Sequence, residues 1–192
     1  MTTLECALGY LAQGYSFTPV RSRRKEGPRF PWKPYQDRRP TETEVRRWFG
    51  VQQRPLPGIG IVTGAISGLV VLDLNRHGKR RVTSVLAARE PARPGDSDGV
   101  LSLREEVPGV DPVDYPHVIT GGGGIHLYFR HPGFPVKSMT GLFPGVDVQG
   151  EGGYIIAPPS IHKSGKEYKW GPTPHYVLPE MPAWLLERLV RP

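Results

Sequence analysis

Cysteine and long apolar runs are almost absent from this chain, and what is missing excludes several classes of protein. The chain has 192 residues and one cysteine, Cys6, so it forms no internal disulfide and holds no cysteine-based zinc site. No stretch approaches the ~18 apolar residues of a membrane span, and the N-terminus lacks the apolar core of a signal peptide. We therefore expect a soluble, cytoplasmic protein without a membrane partner.

The phosphate-binding P-loop motif is missing as well. The sequence has no Gly-Lys-Ser/Thr to complete one. It also has no internal repeat and no heptad pattern. A nucleotide or phosphate site would therefore have to be built from other residues.

Positive charge is present, and it is concentrated in one segment. Residues 21–54 contain eleven Lys/Arg against four Asp/Glu, which equals the whole net charge of +7. A basic segment of this kind favours a polyanionic partner. The alternative is a solvated loop whose charge has no specific partner.

The element pattern predicts an α+β fold, with short antiparallel strands and few helices. Capping boxes at Thr2/Glu5 and Thr41/Glu44 begin two helices, residues 81–90 suit a third, and Pro182 starts a last one through Leu189. Strands are predicted at 15–20, 60–63, 68–74, 118–120, 125–130, 145–149, 153–157 and 168–170. Gly150-Glu151-Gly152 predicts a hairpin between the strands at 145–149 and 153–157.

Asp73 and Asp147 are the most informative residues, because each lies in a short apolar strand. Side chains alternate along a strand, so Asp73 shares a face with Asn75. Two carboxylates brought together on one sheet would repel by roughly 4 kcal/mol at ~4 Å and an effective dielectric of ~20. A divalent metal removes that cost. The alternatives are a turn cap or an ion pair of Asp73 with Arg76 or Lys79, and an arginine partner for Asp147.

Two further groups of residues are candidates for phosphate binding. His126 and Arg130 lie on one face of a strand that follows the glycine turn 121–124, and both can donate to phosphate oxygens. Ser160, His162 and Lys163 lie in a Pro-Pro-Ser loop that is either a phosphate-binding loop or a rigid connector. The acidic pairs Asp96/Asp98 and Glu105/Glu106 are interpreted as solvated charges.

With these residues the chain resembles the bifunctional primase–polymerase domain of the archaeo-eukaryotic primase superfamily, found in plasmid and phage replication proteins. The likeness runs from the N-terminal helix to about residue 189. It is carried by ordered motifs: Gly60–Gly64, Thr120–Phe129, Gly145–Asp147, Ala157–Ser160, His162, Gly165, Tyr168 and Trp170.

The resemblance implies a modified RNA-recognition-motif sheet with flanking helices and a smaller N-terminal α/β lobe. Residues 1–192 would form one catalytic domain, with an N-terminal helical and basic part to about residue 60 and a catalytic sheet over about 60–180. We expect it to be part of a longer replication protein with a fused or associated helicase.

The resemblance also implies residue roles. Asp73, Asn75 and Asp147 would bind Mg²⁺ or Mn²⁺, and Gly124-Ile125-His126 would match the motif whose histidine contacts the incoming triphosphate. Arg130, Ser160, His162 and Lys163 are further candidates for nucleotide binding. Asn75 departs from the family's second carboxylate, and Gly124 stands where serine is frequent. A neutral carbonyl ligand should lower metal affinity and rate.

Three functions follow as hypotheses. The first is a DNA primase/polymerase that uses single-stranded template, primer and nucleoside triphosphates. The second is a catalytically weakened module of the same fold that binds single-stranded DNA or nucleotide, and Asn75 favours it. The third is a replication-initiator nuclease, which needs a His-hydrophobic-His metal pair and a tyrosine nucleophile. The strand here contains His126-Leu127-Tyr128, so the second histidine is missing.

Overall fold

The computed structural model describes residues 1–21, 31–50, 57–77, 97–174 and 177–190. The predicted helix at 81–90 and nearly all of the loop predicted at 91–99 lie outside these residues. Within them the helices are α1 (Thr3–Ala12), α2 (Glu42–Phe49), α3 (Gly99–Glu106) and α4 (Ala183–Val190). None of the described helices is both long and apolar enough to traverse a bilayer.

Both predicted capping boxes are confirmed. Thr2 Oγ1 accepts a hydrogen bond from the Glu5 N–H at 3.2 Å, and the Glu5 carboxylate accepts from the Thr2 N–H at 2.7 Å. Thr41 and Glu44 repeat the arrangement at 3.2 and 2.8 Å. Each box satisfies two backbone donors that the first helical turn would otherwise leave unpaired.

A six-stranded antiparallel sheet forms the centre of the fold, in the order β11-β6-β7-β3-β9-β8. Its strands are β3 (Leu69–Leu74), β6 (His117–Ile119), β7 (Ile125–Arg130), β8 (Met139–Phe143), β9 (Val146–Gln149) and β11 (Lys169–Trp170). The β6–β7 connection is the predicted glycine turn. The architecture confirms the α+β class.

A smaller antiparallel sheet has the order β1-β2-β10, from strands Phe17–Val20, Gly58–Val62 and Tyr154–Ala157. Its third strand comes from late in the sequence, so the N-terminal residues do not complete this sheet by themselves. Short strands β4 (Arg76–His77) and β5 (Ser97–Asp98) pair separately.

The predicted hairpin at 145–157 is wrong. The strand β9 pairs with β3 and β8 in the large sheet, whereas β10 pairs with β2 in the small one. Gly150-Glu151-Gly152 therefore carries the chain from one sheet to the other. The true hairpin partner of β9 is β8, a strand that the sequence did not signal because its residues are mostly exposed and Gly141 interrupts it with φ +73°.

The alternation of β3 divides its side chains between two cores. Val70, Leu72 and Leu74 are fully buried against α3 and α4 on one face of the large sheet. Leu69 and Val71 are buried on the other face with α1, α2 and the small sheet. Asp73 belongs to this second face, at the end of β3 where the apolar core stops.

The helix α3 was not predicted, and its discovery corrects the interpretation of Asp98. The Asp98 carboxylate caps α3 by accepting from the Val100 N–H at 3.0 Å. It also forms an ion pair with Arg76, in which the two side chains are only 13% and 10% exposed. Asp98 is therefore a largely buried structural charge and not a solvated one, and Arg76 has Asp98 as its partner.

Candidate active site

Three polar side chains lie in a row across the centre of the large sheet. The register of the strands sets Asp73 opposite His126 of β7 on one side and opposite Asp147 of β9 on the other. Directly opposed residues of antiparallel strands have Cβ atoms about 4.5–5.5 Å apart, on the same face. His126 Nε2 lies 3.6 Å from Asp73 Oδ1. Residues far apart in sequence thus converge because β3 is the shared neighbour of β7 and β9.

Asp147 is held by hydrogen bonds to both carboxylate oxygens. Its Oδ1 accepts from the Gly141 N–H at 2.9 Å, across the β8–β9 hairpin. Its Oδ2 accepts from the Asn75 side-chain amide, also at 2.9 Å. The backbone of Asn75 is itself fixed. Its backbone N–H donates to the Gly145 carbonyl, and its backbone carbonyl accepts from the Gly99 N–H. The Asn75 side-chain nitrogen therefore faces Asp147, and its oxygen Oδ1 is the atom left to meet a cation.

A cleft of about 510 Å³ opens beside this row of residues. Six of the residues chosen from the sequence line it: Asp73, Asn75, Gly124, His126, His162 and Lys163. The small sheet contributes Tyr154, Ile155 and Ile156 of β10. The volume lies in the usual range of about 300–1,000 Å³ for a small-molecule site.

Sequence reasoning missed several lining residues. Arg76, Thr120, Gly122, Tyr154 and Tyr168 also face the cleft. Tyr168 is buried, and its ring centre lies 6.1 Å from that of His126 and 6.1 Å from that of His162. Three of them, Thr120, Gly122 and Tyr168, belong to the motifs that carry the family resemblance, and those motifs were the signal available for them.

The glycine turn is tightly built around Thr120. Thr120 Oγ1 accepts from the Gly124 N–H at 2.9 Å, so this backbone donor is already used inside the turn. A Cβ on Gly124 would lie 2.6 Å from the Leu74 carbonyl oxygen. The backbone of β3 therefore explains why glycine occupies a position where the resemblance leads one to expect serine.

The lining of the cleft lacks three candidate residues: Asp147, Arg130 and Ser160. Arg130 is at the opposite end of β7, where its Nη1 is 3.8 Å from the Glu180 carboxylate and it lines a separate cavity of about 350 Å³. Ser160 is buried in the loop that follows β10, with its Oγ accepting from the Ile59 N–H of the small sheet at 2.8 Å. Ser160 thus fixes the position of its loop instead of offering its hydroxyl to a phosphate.

Tyr128 shares the face of Asp73 but is fully buried behind it. Desolvation raises the pKa of this phenol well above its ordinary value, and nearby Tyr10, Tyr15 and Asp73 act in the same direction. Its hydroxyl has no hydrogen-bond partner among the described residues. A neutral phenol sealed in the core does not replace the second metal-binding histidine that the initiator-nuclease hypothesis requires.

The oxygen donors of this row would suit a hard divalent cation whose remaining ligands come from substrate phosphates and water. In the described part of the chain no group of three or more His, Cys, Asp or Glu side chains is arranged to hold a metal. The available set is two carboxylates, Asp73 and Asp147, plus the amide oxygen of Asn75. Mg²⁺ is commonly held by one or two carboxylates together with substrate phosphates and water, so these residues fit that mode of binding.

Comparison with known proteins gives one family. A family model described as "bifunctional DNA primase/polymerase, N-terminal" matches residues 7–184, which is most of the chain. No curated protein matches the sequence. The matched range includes every residue that lines the cleft.

Proposed function

The chain belongs to the family of bifunctional DNA primase/polymerase N-terminal domains, and from this premise we propose that it catalyses template-directed, metal-dependent nucleotidyl transfer. Membership supports a primase/polymerase function in general, with DNA and nucleotides as substrates. The observation that carries the finer proposal is the row Asp147–Asp73–His126, which strand register brings together and of which Asp73 and His126 line the cleft.

Asp73, Asp147 and Oδ1 of Asn75 are the residues that would hold Mg²⁺ or Mn²⁺. When bound, such an ion supplies Lewis-acid activation of a 3′-hydroxyl and neutralises charge on the departing pyrophosphate. The chain's own contribution is to fix the ligands. Gly141 and Asn75 orient Asp147 from two sides, so little reorganisation is needed when the substrate arrives.

Cationic and hydrogen-bonding groups around the glycine turn would bind the triphosphate. His126, His162 and Lys163 all line the cleft together with Gly122 and Gly124. Imidazole N–H and ammonium groups make charge-assisted hydrogen bonds with phosphate oxygens. Arg130, at the far end of β7, is left out of this proposal.

A single-stranded DNA template is proposed to follow the basic segment 21–54, of which residues 22–30 and 51–54 lie outside the described residues. Among its aromatic side chains, Tyr35 and Trp48 are buried in the core. Trp32 is only partly buried, and its ring centre lies 5.2 Å from that of Tyr154, which lines the cleft. The pair Trp32–Tyr154 is therefore the best candidate for stacking on a base.

A second candidate function is a binding module that holds DNA or nucleotide with little turnover. The hydrogen bond from Asn75 to Asp147 favours it, because an amide replaces a charged metal ligand. The two candidates differ in one observable: both bind nucleotide, but only the first extends a primer.

Primer extension with Mg²⁺ or Mn²⁺ tests the proposal directly. We expect extension by the unaltered protein and its loss, by at least about a hundredfold, in Asp147→Ala. Glu105→Ala, which removes an exposed carboxylate on α3, is the matched control and should extend like the unaltered protein. Full activity of Asp147→Ala would refute the proposed site, and binding without extension by the unaltered protein would favour the binding module.

A further inference from the structure

Two loops meet at the cleft and are joined by one side chain. The first is the glycine turn 121–124 between β6 and β7, and the second is the loop 160–167 between β10 and β11. Ser164, in the second loop, donates a 2.8 Å hydrogen bond from its Oγ to the Gly121 carbonyl in the first. Residues on either side of this link, Gly122 and His162, line the cleft.

The same serine contacts the imidazole ring of His162 twice. Its Oγ lies 2.9 Å from Nδ1, and its backbone N–H donates to Nδ1 at 3.1 Å. The surrounding turn is rigid, because the His162 carbonyl accepts from the Gly165 N–H at 2.9 Å and the His162 N–H donates to the Lys166 carbonyl at 2.8 Å. Ser164 thus reaches both the ring and the neighbouring loop from a fixed backbone.

The glycine turn provides the surface on which His162 lies. A Cβ on Gly121 would fall 2.2 Å from the His162 Cβ, so only glycine permits this approach. A Cβ on Gly122 would fall 3.6 Å from His162 Nε2, which places that ring nitrogen over the cleft-lining part of the turn. Tyr168 meets the ring edge-on at a centroid distance of 6.1 Å.

The backbone contact favours one position for the hydrogen on the ring. A backbone N–H that donates to Nδ1 needs a lone pair there, which favours the neutral imidazole with its hydrogen on Nε2. In that form the single Ser164 hydroxyl hydrogen goes either to Nδ1 or to the Gly121 carbonyl. If the ring is protonated, its Nδ1–H can donate to Ser164 Oγ, whose own hydrogen goes to the Gly121 carbonyl. In both forms Nε2 carries a hydrogen and is a donor.

We propose that Ser164 is a positioning residue that locks His162 to the glycine turn and keeps Nε2–H directed at a phosphate group in the cleft. This inference rests on the proposed function, since it takes the cleft to bind a nucleoside triphosphate. The ligand chemistry is a polyphosphate anion, and the loop and the turn act on it as one unit.

The test compares Ser164→Ala with Ser164→Thr, which keeps the hydroxyl, and with Thr43→Ala, which removes an exposed hydroxyl from α2. Binding of dATP and of inorganic tripolyphosphate is measured by calorimetry with Mn²⁺ present. We expect Ser164→Ala to weaken both by about threefold to tenfold, the range for one net hydrogen bond. Ser164→Thr and Thr43→Ala should bind like the unaltered protein.

A spectroscopic measurement separates positioning from general loosening. The ring nitrogens of His162, labelled with ¹⁵N, report which nitrogen carries the hydrogen in the neutral form. We expect an Nε2–H signature in all three proteins, because alanine and threonine keep the backbone N–H that donates to Nδ1. The Nδ1 resonance itself should shift only in Ser164→Ala, which loses the hydroxyl contact. An unchanged Nδ1 resonance and unchanged tripolyphosphate binding in Ser164→Ala would overturn the inference.

The two proposals fail in different ways. If the unaltered protein extends primers but Ser164→Ala matches it in binding and in the Nδ1 resonance, only the role of Ser164 is lost. If no primer is extended under any metal and no triphosphate is bound, the proposed function itself fails.

Discussion

The side-chain amide of Asn75 donates a 2.9 Å hydrogen bond to Oδ2 of Asp147, across the end of the strand that carries Asp73. The amide thereby stabilises an Asp147 carboxylate that lies directly opposite Asp73. A carboxylate at position 75 would instead bring a third negative charge to the same place. The amide thus stabilises the site when no metal is bound. The proposed metal site has one charged ligand fewer as a result.

Asn75→Asp should therefore have opposite effects with and without metal. Without metal we expect the free energy of unfolding to fall by about 1–3 kcal/mol, because a hydrogen bond to a charged group is lost and a repulsion is added. With Mn²⁺ we expect a larger gain in melting temperature than the unaltered protein shows, and a severalfold higher rate of primer extension.

The measurements are thermal unfolding with and without Mn²⁺, and extension kinetics. Asn75→Ala is the control, because it removes the amide without adding charge and should lose stability without gaining metal affinity. An Asn75→Asp protein whose response to Mn²⁺ equals that of the unaltered protein would count against Asn75 as part of the metal site.

Gly124→Ala should destabilise the protein, even though serine is frequent at this position in the family. The new Cβ would lie 2.6 Å from the Leu74 carbonyl oxygen, and backbone cannot yield as a flexible side chain does. Overpacking of this kind costs about 1–3 kcal/mol. Chemical denaturation measures the loss.

Gly122→Ala is the matched control in the same turn. Its Cβ would have its nearest neighbour at 3.6 Å, an ordinary van der Waals distance. We expect its unfolding free energy to stay within about 0.5 kcal/mol of the unaltered value. Equal losses in the two variants would contradict the role given to the Leu74 carbonyl.

Asp98 combines an ion pair with a helix cap, and two substitutions separate these contributions. Asp98→Asn keeps a good capping side chain but leaves the Arg76 charge without its partner, so we expect a loss of about 3–5 kcal/mol. Asp98→Ala also removes the cap of α3, which adds about 0.5–2 kcal/mol. Urea unfolding of both variants gives the two numbers. An Asp98→Asn variant as stable as the unaltered protein would show that the ion pair contributes nothing.

Tyr128→Phe should leave both folding and catalysis intact. The hydroxyl is buried and lacks a hydrogen-bond partner among the described residues, so its removal costs no bond and relieves a desolvated polar group. We expect an unchanged or slightly higher melting temperature and unchanged primer extension. A loss of activity above about tenfold would mean that the phenol takes part in the chemistry after all.

The sequence alone determined the local features of this protein. Thr2/Glu5 and Thr41/Glu44 begin helices because a capping box satisfies backbone donors within four residues. The apolar strands around Asp73 and His126 follow from period-two alternation, and the ordered motifs identified the family. All of these signals are contained in short stretches of chain.

Only the tertiary structure decided which strands become neighbours. Gly150-Glu151-Gly152 has the composition of a hairpin turn, yet β9 and β10 pair in different sheets because each finds its partner far away in the sequence. The same long-range pairing put Asp73 between His126 and Asp147 and buried Ser160 against Ile59. Strand register depends on two strands. The residues of one strand show which side chains share a face, but they do not show which strands become its neighbours.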